Sequence, residues 1–518
     1  MMKRIALFSL FLISISGVCF AGNRNIPAIR HEGRTDQNPV ISNILGAISI
    51  DSIRSYMESM SGMGTRYMYA ANRKQVAEWI ASKFLSFGLT DVKLDSFKMA
   101  GDTILTDSVW QYNVVAVIQG KSAPGEITLI GAHHDDYSNP DPYQAPGADD
   151  NASGCAAALE IARVIRAKGF NPESTIRFVT FAAEELVGYK MYTGSMYEAE
   201  QAAANQDDLR LVVCNDMIAN TTGQNLEIFA THMTSGFNSW AGDLTEASAA
   251  TYCTLNIVKG SYPTSDATFF FDLGYPVAGF QEFGMNPTYH TIQDSVSNCL
   301  MDLCTEAIRA NAAILLNEQL NPVPQHPECI SGKTSITLSW QPTANANVSG
   351  YRIYRSLSPD SLFVQVGQTT GLVPGYEDLT AVAGNKYYYR ITSRNQSGFE
   401  SSFSNCVYGS ILPKYRDLLV VKDSKGGFNN PSDSTVVAFY NSIFEGLEYD
   451  LSDASVSDSL ELPVLGKYRK IFWLSNTFSD QQNSSYSRHR DDILTYLRSG
   501  GQLFIAGFQP TFLIAKNN

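Results

Sequence analysis

The chain is short of histidine, of positive charge and of membrane-length apolar runs. Seven histidines are spread over 518 residues, and 38 lysines and arginines stand against 51 aspartates and glutamates, a net charge of −13. So acidic a chain is not built to grip nucleic acid or an anionic membrane surface. After residue 21, no apolar stretch approaches the roughly 20 residues that span a bilayer. The eight cysteines show neither CxxC nor a Cys/His zinc-finger spacing, which removes the structural-zinc reading. Repeats and low-complexity segments are lacking as well.

What is present is a long, well-packed globular chain. Its 44% hydrophobic and 11% aromatic content is that of folded domains, and its length predicts three or four of them. Residues 1–21 read as a signal peptide: Lys3 and Arg4 precede the apolar run Ile5–Val18, and Cys19-Phe20-Ala21 follows. The expectation is export to a periplasmic or extracellular setting, where thiols meet an oxidising environment. Of the seven later cysteines, Cys155 falls on an apolar helical stripe and Cys214 in an apolar strand, which makes both small core residues.

The pattern along residues 22–322 alternates strand and helix. Helical spacing runs through 36–60 and Asn72–Gly88, and again over Asn151–Lys168, Met191–Ala204, Thr234–Ala250 and Ser295–Leu320. Apolar strand-like runs fall between them, at Ile127–Ile130, Thr175–Ala182, Leu209–Val213, Leu226–Ala230 and Val277–Phe280. This alternation predicts an α/β domain, a mixed and mostly parallel sheet with helices on both faces.

In such sheets function sits beyond the carboxyl ends of the strands. The first of these ends opens into Gly131–Gly154, GAHHDDYSNPDPYQAPGADDNASG, with His133, His134 and five aspartates. Later ends deliver Glu184-Glu185, then Asp216, then His290. Histidine and carboxylate together suit a zinc-like divalent metal. Asp135, two residues from His133 and on its face if extended, is placed to accept the ring's second N–H. Glu184 and Glu185, just past a strand, are free to point differently, one to metal and one to a reacting water. Asp136 reads as solvated, Asp150 and Asn151 as helix caps, and His134 as a neighbour and not a ligand.

The strings GAHHDD, PGADDNASG, FAAEE, NDM and TYHTIQD, in that order, resemble the co-catalytic zinc peptidases, a family that includes bacterial leucyl aminopeptidases, glutamate carboxypeptidases and glutaminyl cyclases. The resemblance covers about residues 36–320 and implies a zinc-exopeptidase fold with two Zn2+ per chain. It assigns His133, Asp149 and Asp216 to one ion, and Asp149, Glu185 and His290 to the other, with Asp149 bridging. Glu184 is then the general base, and Asp135 supports His133. It also places an uncommon peptide bond near Asp150. The implied activity is removal of amino-terminal residues from peptides. Carboxypeptidase or single-zinc cyclase action, or a non-catalytic binding protein, are the alternatives. Two departures bear on the pocket: Ser265-Asp266-Ala267 stands where many members have Ser-Asp-His, and Leu186–Ser195 is longer than usual.

Residues 323–411 change to short, alternating, aromatic-rich strands such as Thr334–Trp340, Gly350–Arg355 and Lys386–Thr392, a β-sandwich pattern. Trp340, Tyr351, Tyr389 and NQSGFESSFSN resemble a fibronectin type III domain, which brings its first and last strands together and makes Cys329–Cys406 the preferred disulfide; Cys299–Cys304 is a second candidate. Residues 412–518 return to alternating strand and helix and resemble a flavodoxin- or amidotransferase-like α/β unit. This unit has three strands, no cysteine nucleophile and an incomplete look. These downstream units are the expected binders of cell surface, polysaccharide or protein.

Overall fold

A computed structural model describes residues 37–507, apart from 100–107, 186–192, 223–226, 232–237, 261–264, 285, 361, 424–431, 455–458 and 476–484. Residues 1–21, where a signal peptide is expected, and most of the Leu186–Ser195 segment lie outside the described residues.

Eight strands form the first sheet: β1 (Asp91–Met99), β2 (Val109–Ile118), β3 (Ala123–His133), β4 (Ser174–Phe181), β5 (Asp208–Thr221), β6 (Glu227–Thr231), β7 (Asn256–Gly260) and β8 (Val277–Phe283). Their spatial order is β1-β2-β4-β3-β5-β8-β6-β7. The central four, β4, β3, β5 and β8, are parallel, while β1 and β2 add antiparallel at one edge. The chain goes from β3 out to β4 and then back across to β5, so the order reverses between β3 and β5. That is where an open α/β sheet leaves a crevice.

The helices are α1 (Pro39–Leu45), α2 (Ile50–Ser61), α3 (Arg73–Ser86), α4 (Gly154–Ala167), α5 (Gly194–Asn205), α6 (Ser239–Tyr252), α7 (Ala267–Asp272) and α8 (Met301–Leu320). Strand β3 shows why they cover both faces. Its Ile127 and Leu129 pack with Phe181, Ala199 and Phe270 on one side. Its Ile130 and Ala132 pack with Leu159, Ile161 and Ile314 on the other. A strand buried on both faces must be apolar at successive positions, and β3 is.

Several boundaries differ from expectation, among them the start of α8, at Met301 and not Ser295. The 36–60 segment is two helices, broken at Gly46, and α4 starts at Gly154, three residues after the expected Asn151. Gly154 allows that start: a Cβ there would lie 2.4 Å from Asn151 Oδ1 and 2.7 Å from the Asn215 carbonyl. Helix α4 can therefore seat against β3 and β5 only at a glycine.

Downstream, a three-stranded and a four-stranded antiparallel sheet enclose a core of Trp340, Tyr351, Ile353, Tyr389 and Ile391. Cys329 and Cys406 are free thiols, as are Cys299 and Cys304, so neither expected pair is bridged; Cys406 Sγ instead faces the Val407 carbonyl at 3.9 Å. The last unit is a parallel sheet of four strands among the described residues, not three, since Tyr449–Asp453 pairs with Arg416–Asp423. That strand, YDLSD, is too polar to register as an apolar run.

The sandwich docks at the end of the first sheet away from His133. Buried Glu126, near the start of β3, accepts from Thr343 Oγ1 (2.8 Å) and the Ala344 amide (2.7 Å). It also lies 4.0 Å from buried Arg210. Seven residues of strand put this joint about 23 Å from His133. Glu126→Ala is expected to lower the unfolding free energy by about 3 kcal/mol, because Arg210 loses a buried partner. Chemical denaturation should show the loss, with activity below the transition unchanged.

Candidate metal centre

Each strand end contributes one group. His133 closes β3, is buried, and turns its Nε2 toward Asp216 Oδ1 on β5 (3.3 Å) and Asp150 Oδ1 (3.4 Å). Glu185, past β4, places Oε2 2.8 Å from His290 Nε2, and Asp150 Oδ2 lies 3.2 Å from the same nitrogen. Asp150 thus faces one histidine with each oxygen. His133, Asp150 and Glu185 offer ligand atoms that all lie within 4.8 Å of one another.

Asp149 is not in this cluster, contrary to the sequence expectation. Its Oδ1 accepts the Ala219 amide (2.8 Å) and its Oδ2 accepts from Asn286 Nδ2 (3.1 Å), both directed into the protein. The place between the two histidines is taken by Asp150, which the sequence pattern makes a helix cap. The reason is local. Ala148–Ser153 is an irregular turn with non-helical backbone at Asp150 (φ −108, ψ 89) and Asn151 (φ −135, ψ 50), and the Asp150–Asn151 peptide is cis. Side-chain directions taken from a regular helix start do not hold there. The capping itself falls to Asn151, whose Oδ1 accepts the Gly154 amide at 2.9 Å.

Asp135 does more than flank His133. Its Oδ1 lies 3.6 Å from His133 Nδ1, and its two oxygens accept the amides of Glu184 (3.0 Å) and Glu185 (3.1 Å). One carboxylate therefore ties the β3 end to the β4 end. Burial pushes its pKa up, but His133 and the Glu184 amide outweigh that and hold it below the usual range. Beside it, Ala183, Met217 and His290 have left-handed backbone, φ 61, 55 and 54. Such conformations are costly for residues with a Cβ and gather where a side chain must be aimed.

Burial raises Glu184 and Glu185 well above the ordinary carboxylate range, and the neighbouring acids Asp216, Asp266 and Asp150 add to it. Burial also pulls His290 down, yet Asp150 and Glu185 outweigh it and carry the ring to about 10. Carboxylates crowded against imidazoles in this way are unfavourable unless positive charge sits among them. His290 Nε2 and Glu185 Oε1 find no hydrogen-bond partner in the protein. Imidazole and carboxylate groups converging here, with these two atoms left without a hydrogen-bond partner, fit a divalent cation such as zinc.

Residues 113–315 match the description Peptidase family M28. Over these residues the chain is a metallopeptidase domain similar to that family. The chain is 26% identical over 274 residues to a probable leucine aminopeptidase of Trichophyton verrucosum, covering 50% of this chain and 68% of that protein. It is 32% identical over 200 residues to a probable zinc metalloprotease of Pyrenophora tritici-repentis, covering 36% and 45%; the chain thus spans under half the length of that relative. Among solved structures, LapB from Legionella pneumophila aligns over 57% of this chain and 78% of its own, with 23% identity and a TM-score of 0.46.

Within this domain several expectations change. Asp136 is fully buried, not solvated, and pairs with Arg66 at 3.0 Å. His134 is buried beside the site and burial pushes its pKa down to about 4, which keeps it neutral. Phe280 is core, and Tyr289 stacks on His290 at 3.8 Å. The changed Ser265-Asp266-Ala267 segment borders a small cavity of about 10 Å³ next to Asp216, with Cys214 and Gln281 in its wall. Two residues went unnoticed in the sequence. Asp294 accepts the amides of Asp149 (2.9 Å) and Asp150 (3.0 Å); its position four residues after His290, in TYHTIQD, was the available signal. Arg66 had none.

Proposed function

We propose that the M28 domain is a zinc aminopeptidase that hydrolyses the amino-terminal bond of peptides, with His133 and Asp216 holding one zinc, Glu185 and His290 the other, and Asp150 shared between them. The observation that carries this reading is Asp150, whose two oxygens lie 3.4 Å from His133 and 3.2 Å from His290. A carboxylate spanning two histidine sites is what a two-ion centre requires to offset its crowded positive charge. When bound, the ions supply an acidified water and polarisation of the scissile carbonyl.

The chain's own residues do the rest. Glu184, its amide held by Asp135 and its carboxylate kept high by burial, takes the proton of the attacking water and returns it to the leaving amine. Asp135 keeps His133 and both glutamates in place.

The reading extends to export, supported by the 1–21 leader pattern. It also extends to a surface- or protein-binding role for the downstream units, of which the first resembles a fibronectin type III domain.

Metal analysis joined to a substrate panel tests the enzymatic core. Two zinc ions per chain are expected. Chelation should remove activity and re-addition of Zn2+ restore it, and free-amine peptides should be cleaved while amino-blocked ones are not. One zinc per chain with cyclisation of amino-terminal glutamine, or cleavage from the carboxyl end, would replace this assignment.

A further inference from the structure

We propose that Arg66 is a positioning residue for the metal centre, clamping the loop between His133 and Asp150 so that the two face each other. This rests on the two-zinc reading above. Arg66 lies on the link between α2 and α3 and outside the residues matched to family M28. Its side chain is 1% exposed. Nε donates to the His134 carbonyl (2.8 Å), Nη1 to the Pro146 carbonyl (3.0 Å) and Nη2 to the Gly147 carbonyl (2.7 Å). Nη1 also pairs with Asp136 Oδ2 at 3.0 Å.

These contacts fall at the two roots of one loop. His134 and Asp136 directly follow the ligand His133, and Pro146 and Gly147 directly precede the Ala148–Ser153 turn that carries Asp150. Both roots lie in the loop of residues 134–147, which holds no strand or helix. A planar guanidinium with five fixed donors can hold carbonyls from both roots at once; an ammonium on a flexible stem cannot reproduce that fork. Asp136 neutralises the buried charge and is itself fixed by the Arg66 amide (2.8 Å) and Thr65 Oγ1 (3.2 Å). Gly147 is required for the approach: its φ is +51, and a Cβ there would stand 2.6 Å from Nη2. On the far side, Asp294 holds the same turn through the amides of Asp149 and Asp150. Arg66 thus grips the residues leading into the turn by their carbonyls, and Asp294 grips the turn itself by its amides.

The test is Arg66→Lys in the full chain, which keeps the charge for Asp136 and removes the fork. Zinc affinity is read by chelator competition and coordination by the visible absorption of the Co2+-substituted protein, with circular dichroism and melting as the check on folding. Loss of an outer support typically weakens metal binding about 10–100-fold. A fall of that size is expected, with an altered Co2+ spectrum and kcat falling more than KM rises, in a folded protein. Unchanged affinity and spectrum would overturn the inference. If Arg66→Lys does not fold, Asp136→Asn decides in the same assays: weakened zinc and a shifted spectrum support the clamp, and wild-type behaviour removes it. A wild-type chain that itself takes up neither Zn2+ nor Co2+ sinks the two-zinc reading instead.

Discussion

Asp150→Ala is expected to strip the protein of both zinc ions and to lower kcat/KM by at least about 10³-fold, whereas Asp149→Asn, one residue away, should keep its metal and most of its activity. The difference follows from where the side chains point. Asp150 presents one oxygen to each histidine, so its loss leaves two incomplete ligand sets and removes the negative charge between two cations. Asp149 spends its oxygens on Ala219 N and Asn286 Nδ2. Asparagine still accepts from the Ala219 amide with its own oxygen. It then has to turn its NH2 toward Asn286, which costs about 1–2 kcal/mol of stability and leaves the ligand cluster intact. Zinc per chain by elemental analysis, beside kcat/KM on a free-amine peptide, reads both variants. Metal loss in Asp149→Asn with metal kept in Asp150→Ala would return the bridge to Asp149.

Glu184→Gln should do the opposite of Asp150→Ala: zinc retained, turnover lost. Glutamine fills the same volume and leaves the backbone bond from residue 184 to Asp135 in place, so the scaffold of the site survives. What disappears is a group able to accept the water's proton. General-base removal typically costs 10²–10⁴-fold, about 3–5 kcal/mol of barrier, with KM little moved because the peptide is held by other groups. A variant that kept full turnover would show that Glu184 is not the base. Loss of zinc in step with activity would make it a ligand.

The two predictions also mark how far residue patterns reach. His133, Glu185, Asp216 and His290 were legible because apolar runs announce parallel strands, and parallel strands deliver their ends to one edge of the sheet. Asp135 was legible from its two-residue spacing. The choice between Asp149 and Asp150 was not, because two like residues at an irregular turn differ only in backbone dihedrals. Asp136 looked solvated for a similar reason: its partner Arg66 lies 70 residues away. The strand Tyr449–Asp453 escaped because its polar residues carry no apolar period.

Sequence alone determined the chemistry that this chain can support: an α/β sheet whose strand ends carry histidine and carboxylate in one order. Local physics suffices for that, since burial patterns and ligand types are properties of neighbouring residues. Tertiary structure alone decided which aspartate faces both histidines, that Asp135 joins two strand ends, and that Arg66 and Asp294 grip the Asp150 turn from opposite sides. The last two are hydrogen bonds to backbone groups far away in the chain, and a backbone carbonyl or amide has no identity that a sequence can display.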